Sequence, residues 1–250
     1  MINNDELIKI EELENKYLKK YYHFLKSVQD EILFGLKTKE DIKNDWFEKW
    51  NQGGKKISDF NTGAERVIYA LIHSKGFGVP NSCPVGSDLM FEMEDGFLHV
   101  DLKTVQTSNI GDFANSIFIG NNQISYNTTY TVNKQERVFD GANLPTVYTK
   151  ANGEKKYCLT YFLGILHDSE TFDTICMYIA CLPNGLLQPV YKGDVFKAGK
   201  NPDKNRFSLS KCKDFKLIDE KRVHLIYLKK DINDEYRKKL KFFVELEKNK

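Results

Sequence analysis

Residues 87–104 read SDLMFEMEDGFLHVDLKT, two short apolar runs on either side of a turn signal. Asp95-Gly96 is a dipeptide typical of the two-residue turns that join antiparallel strands. The stretch therefore predicts a β-hairpin. Three charged residues stand near its outer ends, where a buried strand pair normally carries apolar side chains.

The register of this hairpin decides where the three charges point. Successive side chains on a strand alternate between its faces, and directly opposed residues on antiparallel strands point the same way. With residues 95 and 96 in the turn, Asp88 lies opposite Lys103 and Met90 lies opposite Asp101. All three charges then share one face at the end of the hairpin far from the turn. A register slipped by one residue would bury them and expose the aliphatic side chains.

Two carboxylates and an ammonium in one place suit a particular chemistry. Neighbouring carboxylates repel, so that either the pKa of one rises or a cation sits between them. Mg²⁺ takes oxygen ligands, commonly one or two carboxylates together with substrate phosphate and water. A lysine beside the metal can hold a water molecule or offset charge that develops on the phosphate. The cluster therefore predicts Mg²⁺-assisted attack of water on a phosphodiester.

A helix that carries another carboxylate precedes the hairpin. The segment NTGAERVIYALIHSKG, residues 61–76, has its aliphatic residues on one face at the 3.6-residue period. Glu65 lies at the edge of that face and leans toward the sheet. It can belong to the metal shell, or it can close a capping box that starts at Thr62. The residues leave both roles open.

The remaining apolar patterns indicate a central sheet flanked by helices. Short runs rich in β-branched and aromatic residues predict strands, and polar amphipathic stretches at both ends predict helices. The order of these elements predicts a mixed α/β (α+β) fold. The predicted helices are 5–34, 38–50 and a C-terminal helix from 233; the predicted strands are Tyr157–Leu166, Thr174–Leu182, Leu186–Tyr191 and 222–230; and 197–210 is predicted as a basic loop.

Composition places the chain among folded proteins and argues against several classes. Of 250 residues, 41% are hydrophobic and 29% are charged, the proportions of an ordinary globular protein. Five cysteines without a CxxC pair argue against a disulfide framework or a zinc site. No apolar run is long enough for a membrane span, and the acidic first residues are unlike a signal peptide. We therefore expect a cytoplasmic protein without a membrane partner.

Charge is unevenly distributed along the chain. The net charge is +2, but residues 192–250 hold 18 basic and 10 acidic side chains, a local excess of about 8 positive charges. This excess suits a polyanionic partner, and it equally suits a Lys-rich surface that faces only water. Charge by itself leaves the two interpretations open.

The hairpin motif resembles that of a known enzyme superfamily. Residues 86–88 (Gly-Ser-Asp), a spacer of twelve residues, and 101–103 (Asp-Leu-Lys) are similar to the PD-(D/E)xK nuclease signature, with Ser87 in the place of the proline. The helix before the hairpin matches the α-β-β core of that superfamily. Within it, the chain resembles a type II restriction endonuclease. The resemblance implies a restriction-endonuclease-like core with a central mixed β-sheet flanked by helices.

The superfamily pattern implies a role for each residue of the cluster. Asp88 and Asp101 would be metal ligands, and the main-chain carbonyl of Leu102 a third. Lys103 would orient the attacking water, and Glu65 would hold a metal ion or a metal-bound water. The implied activity is Mg²⁺-dependent, sequence-specific hydrolysis of double-stranded DNA that leaves 5′-phosphates.

The resemblance also implies an organisation and partners. One nuclease domain would span 1–250, with a helical N-terminal arm (1–58), a catalytic core (59–191) and a basic C-terminal part (192–250). Because restriction sites are usually palindromic, we expect a homodimer, with the N-terminal helices as candidates for its interface. A cognate methyltransferase is expected in the same system.

Polar and basic residues that follow the cluster are candidate DNA contacts. Asparagine and glutamine can pair with base edges, and basic side chains with phosphates. Asn-rich segments are also common in plain turns, which is the alternative for any one of the asparagines. The candidates are Asn109, Asn115, Asn121, Asn122, Gln123, Lys200, Lys204 and Arg206, with Arg206 as the first to test as a guanine reader.

Two other functions suit the same residues. A nuclease of this core can act on DNA structure rather than sequence, in repair or in the resolution of junctions. Alternatively, the chain can be a DNA-binding module in which the charged cluster is an exposed group of ion pairs without catalytic use.

Overall fold

The computed structural model of the chain describes residues 3–37, 59–75, 79–80, 87–171, 173–198 and 205–248. The helix predicted over 38–50 lies outside these described residues. In the described part of the chain, no helix combines the length and apolar character needed to cross a membrane.

Helices form the two ends of the chain and strands its middle. The helices that the structure describes are α1 (Asn4–Ser27), α2 (Gln29–Lys37), α3 (Asp59–Ser74), α4 (Gln188–Tyr191), α5 (Asp234–Lys239) and α6 (Lys241–Lys248), with short 3-10 helices at Thr107–Asp112, Asn121–Gln123, Gly185–Leu187 and Lys192–Val195. The strands are β1 (Val79–Pro80), β2 (Leu89–Glu92), β3 (Gly96–Gln106), β4 (Ser116–Phe118), β5 (Thr128–Val132), β6 (Gln135–Phe139), β7 (Val147–Thr149), β8 (Lys155–His167), β9 (Thr174–Leu182), β10 (Phe196–Ala198), β11 (Asn205–Ser208) and β12 (Val223–Leu228).

The main sheet is mixed, as the sequence predicts. Its order is β1-β2-β3-β8-β9-β12, with β7 also paired to β8. Strands β3 and β8 run parallel along eleven paired positions, and the other neighbours are antiparallel. Two smaller sheets, β10-β11-β4 and β5-β6, lie outside this order. The predicted fold class, a central mixed sheet flanked by helices, is confirmed.

The β2–β3 hairpin has a different turn from the predicted one. The observed pairs run from Leu89 opposite Val100 to Glu92 opposite Phe97. The Met93 N–H donates to the Gly96 carbonyl at 2.8 Å, which closes the turn. The two turn residues are therefore 94 and 95, not Asp95-Gly96, and every pair is shifted by two positions from the predicted register.

Contacts with distant elements explain this shift. Asp95 accepts hydrogen bonds from Lys16 and Tyr17 of α1, which hold its side chain at the tip of the turn. Gly96 is already in the sheet, where a Cβ would lie 3.4 Å from the Tyr157 carbonyl oxygen. Residue 96 is therefore paired with β8 within the sheet instead of forming the turn. Because the side-chain period is two, a shift of two leaves each side chain on its predicted face.

Each face of the main sheet packs against its own apolar layer. On one face, aliphatic residues of α3 such as Ala64 and Ile68 pack against Leu98 and Val100 of β3. The opposite face carries the layer that includes Phe162, Tyr178, Phe113 and Phe243. The charged side chains of β3, Asp101 and Lys103, lie on this second face, next to Phe162.

Arg222, immediately before β12, joins α1 to the sheet. Its Nη2 lies 2.5 Å from Glu14 Oε2 and 3.4 Å from Glu11 Oε1, and all three side chains are fully buried. Its Nε donates to the Tyr191 hydroxyl at 2.8 Å. The first helix therefore packs on the core of its own chain.

Three local predictions need correction. Residues 186–191 form helical turns rather than a strand, because the Asn184 side chain accepts the Leu186 N–H and Pro189 occupies the first turn of α4. The segment predicted as a basic loop contributes strand residues at both of its ends, in β10 and β11. The β5–β6 hairpin was not predicted; its turn at Asn133 and Lys134 has positive φ, which these polar residues adopt without a glycine signal.

Gly164 of β8 lies opposite Tyr178 of β9, whose ring covers the place that a side chain would take. A Cβ at position 164 would lie 2.3 Å from Cε1 of Tyr178. We expect Gly164→Ala to lower the free energy of unfolding by about 1–3 kcal/mol, the usual cost of overpacking. Chemical denaturation measures this change.

Gly63→Ala in α3 is the matched control, since nothing lies within 4 Å of a Cβ built there. The better helix propensity of alanine should raise stability by about 0.5–1 kcal/mol at this position. Equal changes in the two variants would contradict the packing argument.

Candidate active site

Asp88 and Asp101 meet where β2 begins. The last observed pair is Leu89 with Val100, so one further step of the same register places Asp88 opposite Asp101. Counted from the closing bond of the turn, this is a non-hydrogen-bonded position, where opposed side chains come closest. The charge of Asp88 accordingly raises the pKa of Asp101. The predicted convergence of these two carboxylates is present, although with a different partner for each residue.

Asp88 also completes the edge of the sheet with its side chain. Its Oδ2 accepts the Leu102 main-chain N–H at 2.7 Å. In a strand the N–H and C=O of one residue point to the same side. The Leu102 carbonyl therefore faces the side of β3 on which Asp88 lies.

Asp101 is the buried member of the pair. Its side chain is 2% exposed, and the Lys103 ammonium lies 2.6 Å from Oδ1. Gln123 donates a hydrogen bond from Nε2 to Oδ2. Burial raises the pKa of Asp101 to about 6, against the opposing effects of Lys103 and Gln123. Ionised Asp101 is thus costly in the metal-free protein and would be favoured by a bound cation.

Lys103 shares the face of Asp101 two residues further along β3. Its side chain is 18% exposed, and Nζ lies 5.4 Å from the centre of the Phe162 ring. The ion pair and the ring contact restrict the ammonium to the place where the carboxylates meet. The Lys103 side chain as a whole remains partly exposed.

Glu65 approaches the same edge from α3. The helix begins at Asp59, so Thr62 is inside it and the capping-box alternative is wrong. Burial and the charge of Asp88 raise the pKa of Glu65. The carboxyl is partly buried and lies close enough to Asp88 to sense its charge.

His99, two residues before Asp101, points toward the same face. The ring is completely buried between Ser87 and Tyr148, with Ser87 Oγ 3.1 Å from Nδ1 and the Tyr148 hydroxyl 3.2 Å from Nε2. Burial lowers the pKa of His99 to about 4, so the ring is neutral at pH 7. Sequence reasoning gave this residue no partner, since Tyr148 is distant in the chain.

The candidate DNA contacts occupy three kinds of position. Gln123 is bonded to Asp101, and its Oε1 accepts the Gly120 N–H at 2.8 Å. The guanidinium of Arg206 is bonded to Ser116 Oγ at 3.0 Å and to the Asp112 carbonyl at 2.5 Å. The exposed asparagines are Asn109, Asn115, Asn121 and Asn122. Lys200 and Lys204 lie outside the described residues.

The donor set at this edge suits a small divalent cation. It offers the carboxylate of Asp88, just before β2, that of Asp101 in β3 and the Leu102 main-chain carbonyl, with the Glu65 carboxylate near enough to Asp88 to sense its charge. These are oxygen ligands of the kind that Mg²⁺ takes. Asp101 Oδ1 is buried, and the Lys103 ammonium at 2.6 Å is its partner among the described residues. The neighbouring charge of Asp88 and the burial of Asp101 both oppose ionisation of Asp101, and a bound cation would offset both.

The fold is that of a restriction endonuclease. The restriction endonuclease BglI bound to its DNA recognition sequence matches with a TM-score of 0.65 at 16% identity, over 83% of this chain and 87% of that chain. Tetrameric SfiI bound to cognate DNA matches with a TM-score of 0.63 at 14% identity, over 90% of this chain and 87% of that chain. No curated protein matches the sequence.

Two family models cover most of the chain. The N-terminal domain of the type II restriction enzyme MwoI matches residues 6–171, and the central domain of the same enzyme matches residues 175–228. The chain belongs to the MwoI family of type II restriction enzymes, which are site-specific deoxyribonucleases. The two matched segments meet between β8 and β9, which are neighbours in one sheet. The division into arm, core and basic part remains a prediction.

The raised pKa of Asp101 predicts a pH-dependent stability. The native carboxyl ionises near pH 6 and the unfolded one near 3.8, so stability is lost as pH rises between these values. An amide at this position does not ionise, and we expect Asp101→Asn to stabilise the metal-free protein by up to about 3 kcal/mol at pH 7.5 and hardly at all below pH 4. Denaturant unfolding in EDTA across this pH range measures the difference.

Asp219→Asn, at an exposed carboxylate, is the control and should change stability by less than about 0.5 kcal/mol. If the stability of Asp101→Asn relative to wild type does not increase between pH 4 and pH 7.5, burial of an ionised Asp101 is not the cause.

Proposed function

We propose that this restriction enzyme hydrolyses double-stranded DNA at a specific sequence with the aid of Mg²⁺ and leaves 5′-phosphate ends. The observation that carries the proposal is the meeting of Asp88, Asp101 and Lys103 at one edge of the sheet, with Glu65 near enough to Asp88 to sense its charge. Membership of the type II family favours recognition of a sequence over recognition of a DNA structure, and catalysis over simple binding.

The metal would be held by Asp88, Asp101 and the Leu102 carbonyl, with Glu65 as a direct or water-mediated ligand. When bound, Mg²⁺ supplies positive charge against the phosphate that is cleaved. The protein contributes a preformed set of oxygens. Asp88 is oriented by the Leu102 N–H, and Asp101 by Gln123.

Lys103 is the group suited to the attacking water. Its ammonium is a donor only, so it can hold a water oxygen, or it can stabilise negative charge that accumulates on the phosphate oxygens. The contact with the Phe162 ring and the ion pair with Asp101 limit its motion. A positioned ammonium loses little entropy when the substrate arrives.

The exposed asparagines are proposed as contacts with DNA. Asn121 and Asn122 belong to the short helix whose last residue, Gln123, touches Asp101, so they lie next to the site. Asn109 follows β3 directly in the next short helix. Arg206 joins that helix to β4 through Asp112 and Ser116, which favours a role in holding these segments over a contact with a base.

A second copy and a protective enzyme complete the proposal. A two-fold DNA site is matched by a two-fold protein, so a homodimer is the simplest assembly that cuts both strands. The DNA complex of SfiI is described as tetrameric, so larger assemblies occur among proteins of this fold. A methyltransferase that modifies the same sequence would protect the host DNA.

Asp101→Ala and Lys103→Ala test the site. Wild-type protein with Mg²⁺ should cut plasmid DNA into discrete fragments that a ligase joins without prior phosphorylation. Loss of a ligand or of the ammonium should lower the cleavage rate by on the order of 100- to 1,000-fold, because each acts on charge in the transition state. Gel analysis of time courses measures the rates.

Lys19→Ala is the matched control, since this lysine of α1 is ion-paired with Glu220, and α1 packs mainly on the opposite face of the sheet. It should cut like wild type. Discrete fragments that persist at the wild-type rate in both site variants would refute the site, and a smear from the wild type would favour the structure-specific alternative.

Gln123→Ala separates two roles for this residue. If Gln123 orients Asp101, cleavage should slow by about 10- to 100-fold, as for other residues that support a metal ligand, while DNA affinity in EDTA and the fragment pattern stay unchanged. Gln123→Glu should be slower still, because it places a carboxylate against Asp101. A relaxed fragment pattern at an unchanged rate would instead identify a base reader.

A further inference from the structure

Three side chains form a hydrogen-bonded series beneath the proposed metal site. The hydroxyls of Ser87 and Tyr148 approach the two ring nitrogens of His99, at 3.1 Å from Nδ1 and 3.2 Å from Nε2. The planes of the His99 and Tyr148 rings are nearly parallel, with an interplanar angle of 12°. Because each hydroxyl can donate or accept, both ring nitrogens are satisfied in either tautomer.

This series reaches the main chain that carries Asp88. Strand β2 starts at Leu89, so residues 87 and 88 lie beyond the last main-chain pair with β3. Two side-chain bonds hold them there: Ser87 to His99, and Asp88 to the Leu102 N–H. Without the first bond, Ser87 would have no described side-chain link to β3.

The hydrogen bond between Ser87 and His99 acts on the proposed metal site because of where His99 lies. His99 lies on β3 two residues before Asp101 and on the same face, so it ties the Asp88 segment directly to the strand that carries Asp101. Ser87 is 6% exposed and His99 is completely buried, so water does not compete for the bond. The position of Asp88 relative to Asp101 therefore depends on two bonds, this one and that of Asp88 with the Leu102 N–H.

We infer that His99 is a positioning residue, which acts through Ser87 Oγ to hold the Asp88 carboxylate beside Asp101 for metal binding. The inference rests on the proposed function, namely that these two carboxylates bind Mg²⁺. His99 does not touch the metal or the DNA. Tyr148 fixes the ring so that Nδ1 faces Ser87.

Two substitutions of the histidine separate its two bonds. The amide of asparagine places a polar atom near the position of Nδ1, and the longer glutamine places one near Nε2. His99→Asn should therefore keep the bond to Ser87, and His99→Gln should keep only the bond to Tyr148. Ser87→Ala removes the same bond from the other side with little change in volume.

Mg²⁺ binding without DNA is the primary measurement, from the rise in melting temperature of the full chain with increasing MgCl₂. Ser87→Ala and His99→Gln should need about 10- to 100-fold more Mg²⁺ for the same rise, whereas His99→Asn should stay close to wild type. In cleavage assays the first two variants should regain most of the wild-type rate at high Mg²⁺. DNA affinity in EDTA should be equal in all of them.

Two controls keep the inference separate from the proposed function. Ser27→Ala removes a hydroxyl that is hydrogen-bonded to Phe24 at the end of α1, and it should leave the Mg²⁺ response unchanged. Asp101→Ala should abolish the response. If wild-type protein shows no Mg²⁺ response, the proposed function fails, and the inference with it. If wild type responds, and Ser87→Ala and His99→Gln respond at the same concentrations, only the role of His99 is overturned.

Discussion

A buried guanidinium holds the first helix against the last strand of the sheet, and the geometry of the site depends on that contact. Arg222 is enclosed by Glu11 and Glu14 of α1 and by the ring of Tyr191. Removal of one partner from such a group leaves an uncompensated charge, at a cost of about 3–5 kcal/mol. The main effect of the buried ion pairs of Arg222 is therefore to fix the position of α1. Their net contribution to stability is small by comparison. Through Asp95, α1 then sets the turn that determines the register of β2 on β3.

The proposed catalytic edge combines one buried carboxylate with an exposed carboxylate and an ammonium that are each held by specific contacts. Asp101 is buried with a raised pKa, Asp88 stands just before the start of β2, and Lys103 lies over an aromatic ring. Burial makes the ionised form of Asp101 costly, while the hydrogen bond to Asp88 and the contacts of Lys103 are favourable. Together they leave a set of oxygens and one ammonium in fixed positions, which is the condition for electrostatic catalysis. Strand β8 supports the strand that carries Asp101 and Lys103, since it pairs with β3 along the full length of β3.

Much of this arrangement could be predicted from the sequence, and the failures have common causes. The fold class, the long apolar strands and the shared face of the three charges were predicted because they follow from local periodicity. The turn at 95–96, the strand at 186–191 and the capping role of Glu65 were wrong, because in each case a neighbouring element supplied a stronger contact or an earlier helix start. No pattern in the sequence connects Gln123 with Asp101, or Tyr148 with His99, since these bonds join segments that only folding brings together.

The sequence by itself determined which side chains share a face, because alternation along a strand is a property of neighbouring residues. That property survives any shift by two, and so Asp88, Asp101 and Lys103 converge although the register differs from the expected one. Only the tertiary structure decided which residues form the turn, which oxygen of Asp101 is bonded, and what holds Asp88. These choices depend on contacts such as that of Tyr17 with Asp95, which are 78 positions apart in the chain. Such contacts contribute to stability only after the helix, the hairpin and the central strands have packed together.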